Sequence, residues 1–205
     1  MSPRSSEQNQ AIRQDRQRQL MATAVELFAR NGYDNTGTEA IARAAGMSHG
    51  ALFTYFPTKE ALFRAAVATP LAPTVKLIEE LLGSQTSPPA RVRALARIIL
   101  TSFAQEEPYL ALIQYVMRLR LRFSELSAEI GEFIDAVLTL LERVIQEGQE
   151  QRVFLPGDAR EMAFYFYALI QGCSLMHGTR IDTAVEMAMR LLCVPTQPDC
   201  AERGE

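Results

Sequence analysis

The sequence predicts an all-α protein on three observations. Apolar residues recur at helical spacing, as Leu20, Ala24, Leu27 and Phe28 do near the amino terminus. Hydroxyl and carboxylate caps, prolines and glycines punctuate these stripes at helix-sized intervals. No segment alternates apolar and polar residues with the period of two expected of a half-buried strand.

Taken in order, the first helix is expected from about Asp15 to Arg30. It stops at Asn31-Gly32, where Gly32 takes the left-handed cap conformation and Tyr33 folds back as an apolar residue. Thr36-Gly-Thr-Glu39 reads as a capping box that opens a short, alanine-rich second helix ending at Gly46. Ser48 caps a third helix carrying Leu52, Phe53 and Phe56, closed by Pro57. Thr58 caps a fourth through Leu62, Phe63 and Ala66, and Pro70 and Pro73 predict a break or kink near Thr69-Pro70. An apolar stripe (Val75, Ile78, Leu82) resumes beyond it, so the joint reads as a pivot or as a static kink. Ser87-Pro88-Pro89 starts a helix to about Ala104, and Pro108 starts one to about Phe123. A wide stripe runs from Leu126 to Ile145 and ends at Gly148. Asp158-Ala-Arg-Glu161 is a second capping box, opening a helix to His177, and Ile181 to Leu192 forms the last helix.

The composition suits a folded domain: 205 residues, 48% apolar and 22% charged. The longest apolar run, Met162 to Ile170, has nine residues, where a bilayer span needs about twenty. No transmembrane helix is expected, and the polar amino terminus lacks a signal-peptide stretch, which points to the cytoplasm. Cys173, Cys193 and Cys200 are odd in number and lack CxxC spacing, which argues against a disulfide framework and a structural zinc site. The net charge of −3 hides an asymmetry: residues 1–66 hold eight Lys or Arg against six Asp or Glu, the remainder thirteen against eighteen. That tilt permits nucleic-acid contact by the amino-terminal third.

Thr38 to Tyr55 spans a helix, a short turn and a helix, with small residues that let the two cross closely around Gly46. Such a geometry projects the second helix into a DNA major groove. Residues 18–64 resemble the amino-terminal DNA-binding domain of the TetR-type transcriptional repressors. The resemblance rests on Leu27-Phe28, Gly32-Tyr33, Thr36, Ile41-Ala42, Ala45-Gly46-Met47-Ser48, Gly50-Ala51-Leu52-Phe53, Tyr55-Phe56, Lys59-Glu60 and Leu62. It implies that Ser48, His49, Gly50, Ala51, Thr54 and Tyr55 form the exposed face of the recognition helix. By the same resemblance Thr38 and Lys59 touch phosphate at the starts of the second and fourth helices. A helix start, a hydroxyl and an ammonium suit phosphate, and glycine at 50 lets the backbone approach the duplex. Two positions depart from the family: Phe53 stands where Tyr is usual, removing a phosphate hydrogen bond, and His49 where Lys is frequent, removing a charge. Phe28, Ile41, Leu52 and Phe56 read as core. Arg4, Arg13, Arg16 and Arg18 make a polar leader suited to phosphates or a minor groove, with a solvated arm as the alternative for Arg4.

The resemblance also implies a larger helical domain that binds a small effector and forms a homodimer. From Met162 onward the helix is apolar on almost every side. Phe164, Ala168, Gly172 and Leu175, joined by Ile181, Ala184, Val185, Ala188 and Leu192 of the last helix, read as a two-fold interface closing a four-helix bundle. The opposite face (Met162, Phe166, Ile170, Cys173, His177), with Phe103, Tyr109, Ile113, Met117, Phe133 and Met176, reads as core or as the lining of a cavity for a hydrophobic or amphipathic effector. Arg120 projects among Tyr109, Ile113 and Val116, where a guanidinium needs either a neighbouring glutamate or an anionic effector.

The expected organisation is a disordered leader (1–14), a three-helix helix-turn-helix domain (15–66), a helical effector and dimerisation domain (67–194) and a disordered tail (195–205). An enzyme is the main rival. Only His49 and His177 offer imidazoles, and neither HExxH, GxSxG, a P-loop nor GxGxxG is present. Cys173 and His177 at i, i+4 suit a metal, although a buried thiol beside a helix-end histidine is commoner. No cofactor or metal is expected. A helical adaptor that does not bind DNA is the third reading.

Overall fold

The computed structural model describes residues 6–105, 107–176 and 178–194. Among them are ten helices and no strand: α1 (Ser6–Asn31), α2 (Thr38–Ala44), α3 (His49–Tyr55), α4 (Lys59–Ala68), α5 (Leu71–Leu82), α6 (Pro88–Ala104), α7 (Pro108–Arg118), α8 (Ser124–Glu150), α9 (Ala159–Ser174) and α10 (Ile181–Met189). The all-α class is therefore as expected. Two compact units divide the chain: Met1–Leu71 with Pro108–Ile130, and Ala72–Glu107 with Gly131–Glu205.

In the amino-terminal unit α1 packs on α2, α4 and α7. Its apolar stripe (Leu20, Ala24, Phe28) is fully buried, with Ile41, Leu52, Leu62 and Ala66 and with Leu112 and Val116 of α7. Burial of those two α7 residues is why the unit extends beyond the three-helix segment ending at residue 66. Phe63 meets Phe28 and Tyr33 edge-on, each at 4.9 Å between ring centres. The Tyr109 hydroxyl donates to the Val67 carbonyl at 2.9 Å. Burial of that phenol raises its pKa.

Gly32 (φ +76°) ends α1, and Tyr33 stacks back on Phe28 at 6.0 Å. Thr36 is not a helix cap: Gly37 is, and the buried Thr36 hydroxyl lies 2.7 Å from the Gly32 carbonyl and 3.1 Å from that of Leu27. It serves two carbonyls at the end of α1 rather than the orphan amides of α2. The expected leader is also corrected, because α1 starts at Ser6. Favourable helix formers, not a buried stripe, carry it that far.

The break at Thr69-Pro70 separates α4 from α5 as expected. Together, Lys59–Leu82 is long and apolar enough to cross a bilayer, where the sequence reading found no such stretch. The turn interrupts it, and Leu62, Phe63, Ala66 and Val67 are buried in the amino-terminal core.

In the second unit α6, α9 and α10 pack on one another around Leu95, Ala96, Ala163, Phe166, Val185 and Ala188. Buried guanidiniums occur here. Arg91 donates to the Leu82 carbonyl at 2.8 Å and pairs with Glu147 at 2.5 Å, and Arg93 pairs with Glu186. Gly148 lies inside α8 rather than at its end, and glycine is needed there because the Phe154 ring occupies the space a Cβ would take, 2.1 Å away. Asp158 caps α9 as expected, accepting from the Glu161 amide at 2.9 Å. Cys173 is free, but Cys193 is disulfide-bonded, correcting the expectation from cysteine count and spacing. Spacing patterns diagnose metal clusters better than single bridges. The expected tail, 195–205, lies outside the described residues.

Candidate nucleic-acid interface

The turn between α2 and α3 is built by its backbone. Gly46 (φ +68°) donates to the Arg43 carbonyl at 3.1 Å and Met47 to that of Ala42 at 2.9 Å, the two bonds of a Schellman stop. Ser48 then restarts the chain as a helix, its Oγ accepting from the Ala51 amide at 3.2 Å. Leu52 and Phe56 anchor α3 inward, 0% and 7% exposed. The opposite side therefore faces solvent.

Ser48, His49, Gly50 and Thr54 are exposed, and Ala51 and Tyr55 are half-buried. The Thr38 hydroxyl and His49 Nε2 stand 2.9 Å apart, tying the start of α2 to the start of α3. A Cβ on Gly50 would meet nothing within 4 Å, and its φ is not in the left-handed region. Nothing within the chain therefore requires glycine there, so its missing side chain leaves room for something outside. The Thr54 hydroxyl donates to the Ala51 carbonyl at 2.7 Å. The Lys59 ammonium lies 4.4 Å from the centre of the Tyr33 ring and 3.5 Å from the Asp34 carbonyl oxygen. It is thus held at the start of α4 without a carboxylate partner among the described residues.

Three contacts of this surface escape the sequence reading, which names Phe53 and Arg13 but not their partners. Phe53 is 40% exposed and meets His49 edge-on at 5.0 Å, so a large apolar side chain joins the polar ones on α3. Its i, i+4 spacing from His49 was the available signal. Arg13 of α1 lies 5.8 Å from the centre of the Tyr55 ring. Asp34 accepts from both Arg122 Nη atoms at 2.5 and 2.6 Å, a fork across 88 positions of sequence. Those hydrogen bonds hold the Asp34 carboxyl below its ordinary range.

The residues expected to line an effector site divide between the units. Phe103 and Cys173 line a cavity of about 300 Å³ in the second unit with Leu100, Met176, Thr179 and Ile181. Phe166 and Ile170 are core, 1% and 0% exposed, and Phe133 packs against that core. Tyr109, Ile113 and Met117 belong to α7 in the amino-terminal unit and do not line that cavity. Arg120 is exposed, correcting its expected burial: α7 stops at Arg118, and the turn that follows carries Arg120 off the helical projection. His177 lies outside the described residues.

The expected dimer residues divide as well. Phe164 (53% exposed), Ala168 and Leu175 (58%) lie open on α9, and a Cβ on Gly172 would meet nothing within 4 Å. Ala184, Val185, Ala188 and Leu192 are instead buried within their own unit, and Ile181 packs on the same core. Their inward face corrects the reading of α10. The apolar side chains that α10 and the turn after it leave exposed are Met187 and Leu191.

Residues 20–66 match the model of the bacterial regulatory proteins of the tetR family. A relative named nucleoid occlusion factor SlmA, from Haemophilus ducreyi, is 25% identical over 159 residues, covering 77% of this chain and 78% of that one. A transcriptional regulator from Saccharomonospora viridis, solved in complex with choline, superposes with a TM-score of 0.78 at 20% identity, over 88% of this chain and 99% of its own. Reduced NemR of E. coli does so with a TM-score of 0.74 at 21% identity, over 89% and 100%. The segment that matches the tetR-family model is the one that builds the α2–turn–α3 surface, and the fold likeness to the solved regulators extends through the second unit.

Proposed function

We propose that the protein is a ligand-responsive repressor that binds a palindromic operator as a homodimer and leaves it when a small hydrophobic or amphipathic effector binds. The observation that carries this reading is α3, anchored by Leu52 and Phe56 while His49, Gly50, Thr54 and half of Tyr55 stand open. Thr38 and Lys59 flank it as phosphate contacts, and Ser48 and Ala51 complete the face. Phe164, Ala168, Gly172 and Leu175 join two copies, giving the paired recognition helices that a palindrome requires.

The effector enters the cavity that Phe103 and Cys173 line, a lining of mixed apolar and polar atoms suited to an amphipathic molecule. It releases DNA by favouring a state with the wrong spacing of recognition helices, so its differential affinity must exceed the gap between the states. The α4–α5 joint at Thr69-Pro70 supplies the pivot. The protein acts in the cytoplasm on chromosomal DNA, with no membrane partner. Native mass spectrometry of the purified protein identifies a retained small molecule, and adding that molecule to the protein–operator complex tests the reading. Release of DNA supports it; a ligand-bound complex that holds DNA unchanged contradicts it.

The SlmA relatives support a second reading, a nucleoid occlusion role. Under that reading the protein occupies many dispersed chromosomal sites rather than one promoter, which chromatin immunoprecipitation distinguishes.

A further inference from the structure

A cavity of about 350 Å³ opens within the amino-terminal unit, lined by residues of α4, of the turn after α7 and of the start of α8 together with Tyr33. It shares no lining residue with the cavity of the second unit. Tyr33, Phe63 and Phe123 form its aromatic wall, and the rings hold one another: Phe63 stands 4.9 Å from Tyr33 and 5.1 Å from Phe123, and Tyr33 5.7 Å from Phe123. The Tyr33 amide, bonded to the Tyr115 hydroxyl, fixes the wall further. It is therefore preorganised for a ligand. Arg122 and Arg64 also line the cavity, but both are engaged, Arg122 by the Asp34 fork and Arg64 by Glu125 at 2.5 Å and by Glu129. Glu60 lines it too and makes no ion pair among the described residues. Even with Lys59 counted, these four carboxylates face three cations, and Glu60 is the acid left without a cation beside it. The rings already attract the chain's own cations: Lys59 and Arg122 lie 4.4 and 5.6 Å from the centre of Tyr33, and Arg122 5.3 Å from that of Phe123. Burial, and after it the Glu60 charge, raises the Tyr33 pKa, so the phenol adds no charge of its own.

We propose that this cavity is a second ligand site, which takes a small organic cation: an ammonium carried on an apolar or aromatic body. The body lies against Phe63 and Phe123 and loses apolar surface to water there, while the ammonium faces Glu60, the acid that no cation of the chain satisfies. The volume suits a molecule of about ten non-hydrogen atoms, at the lower end of small-molecule sites. An anion is disfavoured, because both lining guanidiniums are already held by carboxylates and the surplus negative charge repels it. A neutral aromatic would gain the wall and leave Glu60 unused. The inference rests neither on α3 being the recognition helix nor on the effector cavity of the second unit.

The test is isothermal titration calorimetry of the full chain with benzyltrimethylammonium and with phenylacetate, an anion of similar size and the same aromatic body. Wild type is compared with Glu60→Gln and Ser124→Arg. Glu60 is exposed and Ser124 lies open at the start of α8, so neither change touches the core, and circular dichroism checks that the helices persist. Wild type should bind the cation with a submillimolar Kd and the anion not measurably at the same concentrations. Glu60→Gln should weaken the cation about fivefold, the size of one partly exposed ion pair. Ser124→Arg, which adds bulk and positive charge to the lining, should weaken it more. Equal binding of the cation by all three proteins would overturn the inference, since the bound molecule would then lie elsewhere. Phenylacetate bound as tightly as the cation, or no heat from the cation at millimolar concentration, would overturn it as well. None of these readouts involves DNA, so they stand whatever the operator measurements give.

Discussion

Replacing Gly32 by alanine tests how the amino-terminal unit closes around the end of α1. The residue has φ +76°, and an added Cβ would stand 3.2 Å from Tyr115 Cε2 and 3.3 Å from its hydroxyl. A left-handed conformation costs an ordinary residue about 1–2 kcal/mol. The Tyr115 ring cannot give way freely, because its hydroxyl accepts the Tyr33 amide at 3.0 Å and the ring packs 6.0 Å from Phe123. Moving it sacrifices a hydrogen bond worth about 1 kcal/mol, so Gly32→Ala should cost about 2–3 kcal/mol in all. Gly46→Ala is the control: φ is +68°, but a Cβ meets nothing within 4 Å, so only the conformational cost applies. Urea unfolding followed by far-ultraviolet circular dichroism measures both. Tyr115→Phe, which strands the Tyr33 amide, should itself cost about 1–2 kcal/mol. In that background the excess at Gly32 should shrink, since no hydrogen bond then restrains the ring. Equal costs at Gly32 and Gly46, or strict additivity with Tyr115→Phe, would refute the reasoning.

Asp34→Asn should flatten the loss of stability in acid. The Arg122 hydrogen bonds lower the Asp34 pKa in the folded state, so the pair's contribution is complete above the unfolded value of about 4 and disappears as pH falls through the folded value. Melting temperatures from neutral pH down to about pH 2 check this, and a variant as acid-sensitive as wild type would count against it. Phe164→Glu or Leu175→Glu should give monomers by sedimentation that keep their helical dichroism and lose operator binding; persistent dimers would move the interface elsewhere. Ala188→Glu should instead destabilise the fold, by about 3 kcal/mol or more, since Ala188 is 0% exposed and offers no room for a charge. A stable, well-folded Ala188→Glu monomer would reverse that assignment.

Local chemistry was the legible part. Ser48, Thr58 and Asp158 cap the helices they were expected to cap, because a hydroxyl or carboxylate beside an orphan amide needs no tertiary help. Thr36 misled for the same reason: the capping-box pattern was present, but burial offered its hydroxyl two carbonyls of the preceding helix. The exposed face of α3 was readable from Leu52 and Phe56 at i, i+4. Helices apolar on every side were harder, since periodicity in α10 could not say which apolar stripe turns inward. Ala184 and Val185 fill their own unit's core, while Met187 stays open. Arg120 failed through its helix boundary, and the buried guanidiniums of Arg91 and Arg93 went unnoticed because their partners, Glu147 and Glu186, lie far away in sequence. The Asp34–Arg122 fork has the same character.

The most direct test of the central claim is selection of genomic fragments by the purified protein, followed by titration of the best duplex with wild type, Lys59→Ala and Thr54→Ala. A DNA-reading α3 predicts a palindromic duplex bound well above random DNA, with affinity falling steeply as salt rises. Lys59→Ala should weaken all sequences alike and reduce the salt slope by about 0.9, whereas Thr54→Ala should change which sequences are preferred. A wild type that binds no selected duplex more tightly than random DNA, or a Thr54→Ala variant with unaltered preference and a Lys59→Ala variant with an unaltered salt slope, would contradict it.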